Sequence, residues 1–139
     1  MNEKLSKATA LRPLGDRKID GPLVTLDFAR TIEQIRTEKP WSDNNRNAIT
    51  VFKTNGLSVL LIALHKGAEL TKHTAAGMIT VQVLEGQIHF TTDEQSVELT
   101  KGQMLVLHEG IFHSVQAKEE TVFLLTVITK PFSAQQSIF

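Results

Sequence analysis

The chain has 139 residues, 41% hydrophobic and 22% charged, which suits one globular domain with a buried core. Its 15 basic and 15 acidic residues cancel, which excludes a general attraction to nucleic acid or to an anionic membrane. It has no Cys and no Tyr, so thiolate metal sites, cysteine nucleophiles and a phenol acid are excluded. Chemistry is left to the five His, the carboxylates, Lys, the hydroxyls or a bound metal.

The sequence shows no membrane or export signal. The N-terminus is polar and lacks the apolar core of a signal peptide. The longest strongly apolar stretch, Leu57 to Leu64, is too short to cross a bilayer. We therefore expect a cytoplasmic protein that binds neither membrane nor nucleic acid.

Residues 1–20 are polar, show no periodicity and are predicted to be a tail or a draped arm. Residues 21–47 are predicted to be a short helix followed by a loop. The spacing of Phe28, Ile32 and Ile35 places them on one helical face, and Pro40 prevents the helix from continuing. Residues 43–47 are read as a polar loop.

From Ala48 onward the pattern is that of short strands, and residues 48–130 are predicted to form a β-barrel, with 131–139 as a C-terminal tail. Asn55-Gly56 between two apolar runs indicates a hairpin, because both residues tolerate positive φ. The even spacing of the strands, without crossover helices, favours an all-β sandwich or barrel over a parallel sheet. The expected strands are 49–53, 57–64, 79–84, 87–91, 96–99, 104–107, 114–117 and 122–128.

The strand Leu57 to Leu64 is apolar on both alternating faces. A strand on a solvated sheet alternates between apolar and polar residues, so the outer face of this one must be covered. Either the helix around Phe28 or a second subunit can cover it. We expect a homodimer.

Two groups of residues resemble the motifs of the cupin family. Gly67, His73 and Gly86 resemble the first motif, and Gly102, Gly110 and His113 the second. The stretch between the motifs is short, as in compact single-domain cupins. The resemblance covers roughly residues 48–128. It implies a double-stranded β-helix (jelly-roll) barrel preceded by one short helix, usually dimeric, with a divalent metal held by three His and one Glu.

This sequence departs from that ligand set. Ala75 stands at the position of the second His, and Ile79, or Thr80 under looser spacing, at that of the Glu. His108 replaces the proline before Gly110. Two imidazoles without a carboxylate hold a divalent metal weakly. We expect no tightly bound cofactor, and at most a weakly held divalent metal on His73 and His113.

The candidate ligand-binding residues are His73, His113 and His108. His73 and His113 either orient a small ligand in an apolar cavity or are a relic pair bonded to each other, to backbone or to water; His108 joins them if it faces the cavity. His89 is expected to face outward. Met78 and Met104 are read as core residues.

Two functions remain open. The first is a small-molecule-binding or sensing module with a His-containing apolar cavity and no complete metal site. The second is a metal-dependent cupin enzyme, such as an oxygenase, isomerase or decarboxylase, with a reduced His ligand set. Fold alone does not decide between them.

Overall fold

The computed structural model describes residues 4–6 and 17–129, so the predicted tail 131–139 lies outside the described residues. The helices are α1 (Phe28–Thr37) and α2 (Lys39–Asp43). The strands are β1 (Lys4–Ser6), β2 (Arg17–Asp20), β3 (Arg46–Thr54), β4 (Leu57–Leu64), β5 (Glu69–His73), β6 (Met78–Glu85), β7 (Gln87–Thr92), β8 (Ser96–Thr100), β9 (Met104–Leu107), β10 (His113–Ala117) and β11 (Thr121–Ile128). Within this part of the chain, neither helix has the length and apolar character needed to cross a membrane.

The barrel is built from two antiparallel sheets. The larger sheet has the order β3-β4-β11-β6-β9, and the smaller sheet has the order β5-β10-β7-β8. β1 and β2 pair with each other, and the guanidinium of Arg17 on β2 donates to the Thr50 carbonyl of β3 at 2.6 Å. The predicted all-β, antiparallel jelly-roll barrel with a helix before it is confirmed.

Side-chain alternation fills the barrel in layers. On the larger sheet, Phe123 lies opposite Val83, Leu125 opposite Val81 and Val127 opposite Ile79. These residues belong to, or pack on, one core cluster that also holds Ile88, Phe90 and Val115 of the smaller sheet. Ile79 therefore faces inward and Thr80 outward.

Helix α1 covers the outer face of β4. Its N-cap is Asp27, whose carboxylate accepts a hydrogen bond from the Arg30 amide at 3.2 Å. Ile32 and Ile35 of α1 are buried in one cluster with Leu61 and Ala63 of β4. The sequence left open whether the helix or a second subunit covers this strand, and the structure shows the helix in that place.

The polar loop predicted at 43–47 is wrong in part. Asn47 is buried, and its amide donates to the Ile35 carbonyl and to the Glu38 carboxylate, both at 3.0 Å. The Ile35 carbonyl, which also accepts from the Glu38 amide at 3.4 Å, thus gains a second donor at the end of α1. Pro40 does not end all helical structure, because α1 ends at Thr37 and α2 starts just before Pro40, where the first turn of a helix tolerates proline.

Trp41 joins α2 to the end of β4. Its indole stacks on the His65 imidazole with ring centroids 3.5 Å apart. His65 Nε2 lies 2.8 Å from the Trp41 carbonyl, and Nδ1 lies 2.9 Å from the Glu120 carboxylate. His65 is thus a packing residue between α2 and the turn before β11.

The structure differs from the sequence analysis in three further places. Strand β5 was not predicted, because Glu69 to His73 has only one half-buried position, Leu70, and so no apolar alternation. Met104 is 54% exposed rather than in the core, since it lies on the outward face of the edge strand β9. Strand β2 falls inside the segment read as a tail or draped arm.

Gly86 supports a stability prediction with a matched control. Gly86 and Gly102 have φ values of +87° and +88°, but a Cβ at Gly86 would meet the Glu120 carbonyl oxygen and lie 2.8 Å from Thr121 Cα, whereas a Cβ at Gly102 meets nothing. Gly102→Ala should lower the free energy of unfolding by about 1–2 kcal/mol through backbone strain. Gly86→Ala should cost a further ~1–3 kcal/mol through overpacking. Urea denaturation measures both, and equal losses would contradict the close approach.

Candidate ligand site at the barrel mouth

His73 and His113 lie at the same end of the barrel. β5 ends at His73 and β10 begins at His113, and the two residues are paired across the strands. On the other side of His113, Thr92 of β7 completes this row of the smaller sheet. We call this end, where the chain leaves β5 toward β6 and leaves β9 toward β10, the mouth.

A register shift makes the histidines neighbours. Val115 is paired with Leu70, so an uninterrupted ladder would place Lys72, not His73, opposite His113. The shift between His113 and Val115 inserts one extra residue into β5. Such bulges re-aim side chains. Here the bulge brings the second imidazole into the row.

The two rings are in contact. Their centroids are 4.2 Å apart with planes tilted by 60°, and Phe90 stacks on the other side of His113 at 5.3 Å. His113 is only 4% exposed, whereas His73 is exposed. The structure therefore brings together the two histidines that the sequence predicted as a pair.

Both imidazoles are held by the same local hydrogen bond. His73 Nδ1 lies 2.6 Å from the Thr71 carbonyl oxygen, and His113 Nδ1 lies 3.0 Å from the Ile111 carbonyl oxygen. A carbonyl only accepts, so each Nδ1 carries the proton. In a neutral ring Nε2 is then a hydrogen-bond acceptor.

Nε2 of His113 must reach accessible space. In the described part of the chain it has no hydrogen-bond partner, yet no inaccessible side-chain nitrogen or oxygen there lacks one. The small exposed fraction of this ring therefore includes Nε2. Nε2 is therefore the ring nitrogen that lacks a partner among the described residues and is not fully enclosed.

The environment of His113 disfavours its charged form. Burial lowers the pKa of His113 below its ordinary value, the hydrogen bond to Ile111 opposes this, and the nearby charge of His73 lowers the pKa further. Burial is the largest of these effects. His113 is therefore a neutral acceptor at pH 7.

An apolar row of the larger sheet lies at the same end. Val127, Ile79 and Leu107 are paired side by side on β11, β6 and β9. Ile79 is buried, but Val127 and Leu107 are only half-buried although they point inward. The loops above are tied by the Gly110 amide, which donates to the Ala75 carbonyl at 3.1 Å.

The rim carries residues that the sequence analysis did not single out. Lys72 Nζ lies 2.9 Å from the Asp93 carboxylate and 5.3 Å from the centroid of the Phe112 ring. Ile111 and Phe112 are 40% and 50% exposed. The apolar pair beside the second motif was a sequence signal for this rim. Asp93 had no such signal, because only the β7–β8 turn brings it close to Lys72.

The structure does not bring His108 to the pair. Its side chain is 76% exposed in the loop after β9, and its described ionic neighbour is Glu109 at 3.8 Å. His89 faces outward, as predicted, and lies 2.6 Å from the Glu98 carboxylate. A cavity of about 770 Å³ lies elsewhere, between α1 and β2, with Arg17, Arg30 and Val51 in its lining. The predicted His-lined cavity inside the barrel stays a prediction.

The residues at the mouth do not fit the four-ligand metal site of cupins. Ile79 is packed in the core where a carboxylate would be needed, and Ala75 has no donor side chain. Among residues 4–6 and 17–129, no three His, Cys, Asp or Glu are grouped so that they could hold a metal ion. A stable zinc or iron site needs at least three protein ligands.

Comparison with solved structures identifies the fold. No protein-family profile and no curated protein matches the sequence. A cupin-2 domain protein from Shewanella frigidimarina is similar, with 19% identity, coverage of 75% of this chain and 94% of that one, and a TM-score of 0.61. SPY1581 from Streptococcus pyogenes, a conserved protein of unknown function, has 27% identity, 83% and 93% coverage and a TM-score of 0.64.

An enzyme is also among the similar structures. A salicylate 1,2-dioxygenase from Pseudaminobacter salicylatoxidans has 22% identity, coverage of 60% of this chain and 26% of that one, and a TM-score of 0.55. The chain is a small protein with the cupin fold. The expected resemblance is confirmed, and this fold does not by itself distinguish a binding protein from an enzyme.

Burial of His113 predicts a loss of stability in acid. Its folded pKa is lowered, so below the ordinary imidazole pKa of about 6.5 the unfolded chain binds more protons than the folded one. The free energy of unfolding should fall as pH drops below ~6.5 and level off below the folded pKa. His113→Phe should reduce this fall, measured by urea denaturation between about pH 7.5 and 5. The control His108→Gln, at an exposed site, should keep the full loss of stability in acid. An unchanged loss in His113→Phe would contradict its assignment to His113.

Proposed function

We propose that this protein binds a compact organic molecule at the barrel mouth, with His73 and His113 as the polar contacts. The carrying observation is that His113, only 4% exposed, still presents Nε2 to accessible space. Here one nitrogen is fixed and the other is open to a ligand.

The surroundings support binding of an apolar body. Val127 and Leu107 point into the barrel but stay half-buried. Covering such side chains contributes about 25 cal/mol for each Å² removed from water. Ligand sites combine apolar walls with a few placed polar groups, and the mouth has this composition.

The metal-dependent enzyme remains the less supported alternative. The fixed Nδ1 atoms resemble those of metal-bound histidines, whose second nitrogen commonly donates to a carbonyl. The donor set nevertheless stops at two imidazoles. Ala75 and Ile79 supply no further ligand.

Methyl NMR of the whole protein tests the proposal. A set of compact neutral, anionic and cationic molecules should perturb the methyl signals of Ile79, Leu107 and Val127, which line the mouth. The signals of Ile49 and Leu61 under α1 should not move. His113→Phe should weaken the best binder roughly tenfold, the value of one hydrogen bond of ~1.4 kcal/mol.

The outer-face variant His89→Phe is the control and should leave affinity unchanged. Shifts confined to the cavity beside α1, or equal effects of the two variants, would contradict the proposal. A stoichiometric transition metal that survives dialysis against a chelator would favour the enzyme instead.

We also propose a homodimer, at a different face from the one expected. α1 covers β4, but beyond it Thr80 and Gln82 of β6 stand beside Val106 and Met104 of β9 on the outer face of the larger sheet. Met104 is 54% and Val106 57% exposed. None of the four is charged, so two copies can meet across a twofold axis without like-charge repulsion.

Sedimentation measures this association. Val106→Glu should weaken the dimer roughly 100-fold, because it places like charges together at about 3 kcal/mol. The control Ser96→Glu, at an exposed position on the outer face of β8 in the smaller sheet, should leave it intact. A monomeric wild type at micromolar concentration, or a dimeric Val106→Glu, would contradict this interface.

A further inference from the structure

We infer that the mouth recognises its ligand through a hydroxyl donor on a compact apolar ring, as in an uncharged cyclic alcohol or vicinal diol, and not through a carboxylate. This rests on the proposed ligand-binding function and names the class of ligand. Its basis is which hydrogen-bonding atoms of the mouth are already engaged and which are left open.

The open atoms accept. Each Nδ1–H is donated to the carbonyl two residues upstream, Thr71 for His73 and Ile111 for His113. In neutral rings the remaining Nε2 atoms hold lone pairs and no proton. Two acceptors on rings 4.2 Å apart call for donors on the ligand. A carboxylate brings only further lone pairs.

The third polar side chain of the row offers no donor. The Thr92 hydroxyl donates to the Gln95 carbonyl at 3.2 Å, and the same oxygen accepts from the amides of Glu94 and Gln95. These bonds build the β7–β8 turn. The hydroxyl proton is therefore used within the protein.

The rim supplies no spare positive charge in the described part of the chain. Lys72 is the cation beside His73, and its ammonium is paired with the Asp93 carboxylate at 2.9 Å. The pair is neutral as a unit. A carboxylate ligand would have to displace Asp93, whereas an alcohol leaves the pair intact.

The apolar wall opposite the histidines determines what kind of ligand body fits the site. Val127, Ile79 and Leu107 are aliphatic, and the exposed Phe112 ring extends the apolar surface at the rim. A saturated ring can cover these side chains while its hydroxyl groups face the imidazoles. An unpaired charge against this wall would cost desolvation energy.

Four probes of nearly equal size separate the possibilities: trans-1,2-cyclohexanediol, cyclohexanol, cyclohexanone and cyclohexanecarboxylate. Methyl NMR titrations at about pH 8 keep His113 in its neutral form, because burial lowers its pKa. We expect cyclohexanol to bind roughly tenfold tighter than cyclohexanone, which accepts but cannot donate. The diol should bind at least as tightly as cyclohexanol, and the carboxylate most weakly.

Variants assign the preference to the two acceptors. His113→Phe preserves an aromatic ring beside Phe90 but removes one of the two Nε2 acceptors, so the advantage of the alcohol over the ketone should shrink. His73→Phe, at an exposed position, supplies the same test should His113→Phe fail to fold. His108→Phe should keep the preference, because that exposed side chain lies apart from the pair.

The outcomes separate the two proposals. Ketone or carboxylate binding at the mouth as tightly as alcohol would overturn the donor preference and leave the binding function standing. Failure of all four probes to shift the mouth methyls would overturn both. An alcohol preference that is undiminished in both His113→Phe and His73→Phe would overturn the assignment to these imidazoles.

Discussion

The register shift in β5 is the constraint on which the candidate site depends. One extra residue between Leu70 and His73 places an imidazole opposite His113 and sends Lys72 to the rim. Without the shift, a lysine would stand beside a nearly buried histidine, and the mouth would present a cation and one acceptor instead of two acceptors. The backbone pairing of β5 with β10 thus decides which side chains stand at the mouth.

The rest of the barrel lets that end stay open. Deep in the barrel, Phe123, Val83 and Ile88 are completely or almost completely buried. Toward the mouth, inward-facing Leu125 and Val127 become half-buried. α1 adds a second apolar layer on the outside of β4, so the core does not depend on closing the mouth. Because the barrel is stabilised at its other end and on one outer face, the apolar side chains at the mouth can stay partly uncovered.

Much of this was predictable from the sequence, because alternation and glycine turns act locally. The strands from β6 to β11 follow from period-two patterning, whereas the face that Ile79 turns inward depends on a register that the pattern leaves open. His73 and His113 could be paired only through the family resemblance. β5 could not be found, since a polar edge strand has no apolar period. The bulge and the Lys72–Asp93 pair could not be found either, because both depend on how distant segments meet.

Errors in the prediction have the same origin. Asn47 looked like a loop residue because asparagine favours turns. In the fold, its amide donates to the Ile35 carbonyl at the end of α1. Met104 looked like core because methionine is apolar, but its strand lies at the edge of the larger sheet. The residue type indicates which environment a side chain prefers, but the packing of the neighbouring element decides which environment it has in the fold.

The stacking of Trp41 on His65 has a spectroscopic consequence. Trp41 is the single tryptophan of the chain, and it lies on α2, outside the two sheets. Its emission therefore reports whether α2 is docked on the imidazole that follows β4 and says little directly about the barrel. Far-ultraviolet circular dichroism, by contrast, is dominated by the strands. The two signals observe different parts of one molecule, so their coincidence or separation during unfolding shows whether α2 and the barrel are a single cooperative unit.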